Sequence, residues 1–127
     1  MRTVRNPETI HPPLGHYVHQ VEVRNPEVVL FIAGQVGMQL DGSVPKDAIA
    51  QLDAALANVV RNLEAAGLST TDLTKITTYV VGTIDREARA ATVRKHLGDH
   101  KPTSTLVFVA ALASPDYLVE VDAWAAR

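Results

Sequence analysis

Hydrophobic positions along this chain switch between two periods. From Leu118 to Trp124 the period is two: Val119, Val121 and Ala123 share one face, and Leu118, Glu120, Asp122 and Trp124 share the other. Leu73 to Val81 alternates too, with Thr74, Ile76, Thr78 and Val80 on one side. Pro102 leads a third apolar strand that runs to Val109, and Ala113-Ser114-Pro115-Asp116 forms the turn before Leu118. Between these the period lengthens. Ile49, Leu52, Leu56, Val59, Val60 and Leu63 form a helical stripe inside Asp47 to Ala66, closed by Gly67. Asp85 is placed to cap a second helix that reaches about Leu97 and stops at Gly98. Toward the N-terminus, Arg2 to Arg5 reads as a short edge strand. Tyr17 to Arg24 and Val28 to Ala33 flank Asn25-Pro26, which predicts a hairpin between them. Asp41-Gly42-Ser43 and Pro45 mark a loop. The predicted order is three strands, a helix, a strand, a helix and two strands, with no linker, repeat or low-complexity stretch, so residues 1–127 are expected to form one domain.

Two helices cannot cover both faces of such a sheet, and each crossover returns on the same side. The face carrying Leu118, Glu120, Asp122 and Trp124 is then left open. Large apolar side chains beside two acids suit bulk water poorly and predict an oligomer interface.

Composition narrows the function classes. The chain is 46% hydrophobic and 20% charged, as ordinary soluble domains are. Its net charge of -2 offers no basic stripe for a phosphate backbone, so no nucleic-acid partner is expected. The absence of cysteine removes disulfides, a thiol nucleophile and thiolate metal sites. Met1 to Asn6 lacks a signal-peptide core, and no apolar run approaches a membrane span, so a cytoplasmic protein without a membrane partner is the expectation. The five histidines do not read as a metal site. His16 and His19 are three apart at a strand start, which sends them to opposite faces, and Gly98 interrupts the helix between His96 and His100. No metal or other cofactor is expected. Gly34-Gln35-Val36-Gly37 lacks the spacing of a phosphate loop.

Several segments together resemble the RidA/YjgF family of reactive-intermediate deaminases. Pro13-Leu14-Gly15-His16-Tyr17-Val18-His19-Gln20-Val21 is similar to its Pro-x-Gly-x-Tyr-Ser-x-x-Val segment, with Val18 for Ser. Leu30-Phe31-Ile32-Ala33-Gly34-Gln35-Val36 is similar to its Phe-x-Ser-Gly-Gln strand end, with Ala33 for Ser. The helix from Gln51 to Gly67, the strand Leu73 to Val80, and the Pro-led and Glu-bearing final strands follow in the family's order. The resemblance implies a chorismate mutase-like α+β fold with two helices on one face of a mixed sheet. It also implies a homotrimer with a central barrel, and small-molecule clefts between subunits.

It further implies roles. Glu120 would position or activate the water that attacks an imine carbon, and the alternative is a carboxylate paired at an interface. Tyr17 would line the substrate pocket with ring and hydroxyl, against a plain edge tyrosine. Gly34 would let backbone approach a ligand, against a simple bulge. Gln35 is expected to bond locally, and Asp122 to be structural. Ser104 is the departure: the deaminating members carry Arg two residues after the Pro, to grip the substrate carboxylate. A hydroxyl offers neither the charge nor the fork of a guanidinium. Either the substrate lacks that carboxylate, another cation anchors it, or deamination is gone; Arg61, Lys75, Arg94 and Lys95 are the cations considered. Activity on 2-imino acids is expected to be weak or absent, with Ser104→Arg raising it. Two function classes stay open: a hydrolytic deaminase of a small imine or enamine with altered preference, and a non-catalytic small-molecule-binding trimer.

Overall fold

A computed structural model describes all 127 residues. Its strands are β1 (Arg2–Arg5), β2 (Gln20–Val23), β3 (Val29–Val36), β4 (Leu73–Val81), β5 (Thr103–Val109) and β6 (Val119–Ala126). The helices are α1 (Ala48–Ala65) and α2 (Arg86–Leu97), with a single 3-10 turn at Thr70–Asp72. Both helices start where a capping carboxylate can take an orphan N–H. Asp47 accepts from the Ala50 N–H at 3.0 Å, and Asp85 from that of Ala88 at 2.8 Å.

The main sheet has the order β3-β6-β4-β5. β6 lies antiparallel between β3 and β4, while β4 and β5 run parallel across the α2 connection. This is the mixed sheet with two helices on one side that the resemblance implies. Val119, Val121, Ala123 and Ala125 of β6 point to the helices and are buried with Leu52, Leu56, Val59 and Leu63 of α1. Ile76 and Val80 of β4 are buried on that side as well.

The predicted hairpin across Asn25-Pro26 does not form. β2 pairs with β1 instead, Arg2 opposite Val23, in a separate two-stranded sheet. β3 is taken by β6, and the Glu27 and Val28 N–H groups both donate to the Arg127 carbonyl, so the residues after the turn zip to the C-terminus. β1 is tied to the main sheet by the Arg2 guanidinium, which donates to the Leu73 and Ala126 carbonyls. Leu118 is a second correction. It precedes β6 and packs against the core rather than on the open face, because the Gln51 side chain accepts from its N–H and from that of Val119 and sets the strand entry. Thr74 is a third: a register irregularity between Leu73 and Lys75 takes it out of the β4 alternation, and its hydroxyl donates to the Trp124 carbonyl.

The open face instead carries Trp124 and Phe31, 53% and 65% exposed, in edge-to-face contact with centroids 4.9 Å apart. α1 comes so close to the end of β3 that a Cβ on Gly37 would stand 2.6 Å from the Gln51 Cα. No helix is long and apolar enough to cross a membrane.

Candidate functional site

Two groups of residues stand on opposite faces of the sheet. α2 packs mainly on α1, leaving a gap over β4 and β5. The gap is a cavity of about 230 Å³, floored by Ile76, Thr78, Ser104 and Leu106. Leu52 of α1 closes one side, and Arg89, Ala90 and Val93 of α2 another. The loop from Leu14 to Tyr17 forms the rim.

Tyr17 and Ser104 therefore share one cavity. The Tyr17 hydroxyl accepts from the Leu14 N–H at 3.0 Å, which holds the rim loop and leaves its own proton free to donate. Ser104, opposite Ile76 in the parallel register, is half-buried, and its hydroxyl has no partner within the chain. His16 lines the same cavity and keeps a buried Nε2 without a hydrogen-bond partner.

Glu120 and Gly34 form the second group. Glu120 faces away from the helices, opposite Tyr79 on one side and Val36 on the other. Its carboxylate makes no ion pair and accepts no hydrogen bond within its own subunit. Gly34 sits in the irregularity between Ile32 and Gln35, where β3 bulges away from β6. A Cβ there would lie 2.7 Å from Glu120 Cδ and 2.8 Å from its Oε1. The glycine thus makes room for the acid's head group. Gly34→Ala should push Glu120 out of place while costing less than about 1 kcal/mol, since a half-buried flexible chain end can yield. Paired denaturation and turnover measurements check this; an intact Glu120-dependent activity would count against it.

Beside Glu120, the Tyr79 hydroxyl donates to Asp122 Oδ2 at 2.9 Å. That bond, followed by burial and the nearby acid charges, holds the Tyr79 pKa above its ordinary value. Asp122 is thus engaged structurally, and Gln35 bonds locally to the Ala33 carbonyl at 2.9 Å. A larger open groove of about 520 Å³ runs between Val21 and the Lys75–Asp122–Trp124 surface, but it includes neither Tyr17 nor Glu120.

None of the four cations considered from sequence lines the Tyr17–Ser104 cavity. Arg61 donates to Asn58, Lys75 to Thr105 on the opposite sheet face, and Lys95 pairs with Asp53, while Arg94 is exposed near the end of α2. The cation that does line it is Arg89, which the sequence reading missed. The signal was available: Arg89 stands one turn before Val93, on the stripe of α2 that faces the cavity. Three other histidines are occupied elsewhere. His96 meets Asp53 at 2.8 Å, His100 the Leu73 carbonyl at 2.9 Å, and His19 the His11 carbonyl at 2.8 Å.

Residues 8–127 match the family described as endoribonuclease L-PSP. The chain is 33% identical to the 2-iminobutanoate/2-iminopropanoate deaminase of Escherichia coli, over 90% of this chain and 89% of that one. Among solved structures it is similar to the Rid-family protein YyfB from Yersinia pestis, with a TM-score of 0.86, 32% identity, and coverage of 99% and 98% of the two chains. It is also similar to E. coli TdcF with bound serine, with a TM-score of 0.72, 30% identity, and coverage of 98% and 95%.

Proposed function

The chain belongs to the RidA/YjgF family, and from that premise we propose that it is a hydrolytic deaminase of small imines or enamines, working as a homotrimer. The observation that carries the reading is Glu120: a half-buried carboxylate with no partner in its own subunit, set against a glycine that leaves it space. An acid held this way is free to take a proton from water and return it to nitrogen. Water adds to the imine carbon, the carbinolamine forms, and its C–N bond breaks to leave a carbonyl compound and ammonia.

One subunit does not bring Glu120 to the Tyr17–Ser104 cavity, because the sheet lies between them. A neighbouring copy docked on the open face through Phe31 and Trp124 would join one subunit's acid to the next one's cavity. The second reading, a non-catalytic binding trimer, is favoured by the same separation: the cavity holds polar groups enough to bind a ligand without Glu120. A nuclease reading is not adopted, since a net charge of -2 gives no phosphate track.

Imines generated in solution by an amino acid oxidase separate the readings. The deaminase reading expects the protein to accelerate ammonia release several-fold or more over the uncatalysed rate, with 2-iminopropanoate a poor substrate. Light scattering on the same sample should give three times 13.7 kDa. Ligand binding with no acceleration for any imine would leave the binding reading in place.

A further inference from the structure

Resting on the reading of the cavity as the ligand site, we propose that Arg89 is the anion anchor of this protein. It holds the carboxylate of a small acid whose apolar side chain lies along Leu52, Ile76, Val93 and Leu106.

Arg89 is half-buried at the cavity wall, yet its guanidinium makes no salt bridge and donates no hydrogen bond within the chain. No aspartate or glutamate lines the cavity to neutralise it. Asp85, four residues earlier, takes the Ala88 N–H as helix cap and is not paired with Arg89. Helix stability does not account for the residue either, because a cation near the start of α2 opposes the helix dipole. A guanidinium with unused donors presents a fork matched to a carboxylate.

The opposite wall completes the cradle. The Ser104 hydroxyl has no partner in the chain, and the Tyr17 hydroxyl keeps a proton to donate. His16, whose buried Nε2 has no partner in the chain, and Thr78 are the other polar side chains of the lining, and the rest of it is apolar. At about 230 Å³ the cavity is smaller than the roughly 300–1,000 Å³ typical of drug-sized ligands, which suits a metabolite of a few heavy atoms. Position 104 is thereby compensated from the helix instead of the strand. The charge sits on the α2 side, and the substrate class becomes 2-imino acids with an aliphatic branch, or the matching 2-oxo acids as products.

Calorimetric titration of the intact protein with the 2-oxo acid of leucine tests this without requiring turnover. Arg89→Gln should weaken binding by about tenfold or more, while Arg89→Lys, keeping charge without the fork, falls between. Arg94→Gln on the same helix should bind like wild type. The neutral methyl ester of the acid should bind wild type and Arg89→Gln alike. Equal affinity of wild type and Arg89→Gln for the acid overturns the proposal, and so does an equal loss of ester binding, which would mean collapse of the cavity. The lysine variant decides the matter if the glutamine variant does not fold. Arg89-dependent binding with no ammonia release would sink the deaminase reading and leave the anchor standing. Turnover of imines by a protein in which Arg89→Gln changes nothing would do the reverse.

Discussion

Glu120→Gln is expected to lower ammonia release at least about a hundredfold, the usual weight of a positioned general base. The amide keeps the shape of the side chain and its fit against Gly34, but it cannot accept and return a proton. Folding should scarcely notice. The carboxylate has neither an ion pair nor a hydrogen bond to lose in its own subunit, so the stability change should stay within about 1 kcal/mol. Binding of a product acid at the Arg89 side should persist. Turnover within about threefold of wild type would remove Glu120 from the chemistry and leave water activation to another group.

The largest structural effect is expected at Gln51. This residue is 0% exposed, and its amide is fully used. Nε2 donates to the Pro45 carbonyl at 2.7 Å and to the Asp116 carbonyl at 2.9 Å. Oε1 accepts from the N–H groups of Leu118 at 2.8 Å and Val119 at 3.3 Å. It is the clasp that joins the loop before α1 to the turn before β6. Gln51→Leu preserves much of the volume and strands four backbone groups, each costing about 1–3 kcal/mol if it stays buried and unpaired. Partial relaxation of the two loops brings the expected loss to about 3–5 kcal/mol, or a fall in Tm on the order of 10 °C for a chain of this size. Since the clasp sets where β6 begins, the variant should also loosen Glu120. Denaturant unfolding measures the first effect. A Tm within about 2 °C of wild type would mean that the loops find other partners.

The elements were legible in the chain because alternation and helical spacing report burial directly. Val119, Val121 and Ala123 went inward, Asp85 capped its helix, and Gly67 and Gly98 ended the two helices. What failed depended on partners distant in sequence. Asn25-Pro26 does turn the chain, but a turn does not say which strands pair, and β1 and β6 supplied the partners. Leu118 has the parity of the open face, yet it lies outside the strand, where a side-chain amide overrides the pleat. Gln51 itself was invisible: a polar residue beside an apolar stripe reads as a solvent-facing position, and only tertiary structure shows four backbone groups converging on it. Of the candidate site, Tyr17 with Ser104 and Gly34 with Glu120 were each brought together. The separation of the two pairs by the sheet could not be read, since motif order carries no information about which face a neighbouring chain will complete. Arg94 and Lys95 of α2 were considered and Arg89 was not, although only Arg89 stands one turn before Val93 on the stripe of the helix that lines the cavity.

The central claim is that a working site is made from two subunits, and mixing two crippled proteins tests it most directly. Glu120→Gln disables the acid, and Arg89→Gln weakens the cavity's hold on substrate about tenfold or more, so turnover is compared at substrate dilute enough for that loss to show. Refolded together as random trimers, about a quarter of the interfaces should pair an intact acid with an intact cavity, so activity should return to about that fraction of wild type. Mixed trimers that form, as shown by mass, and yet remain as inactive as either parent would contradict the account.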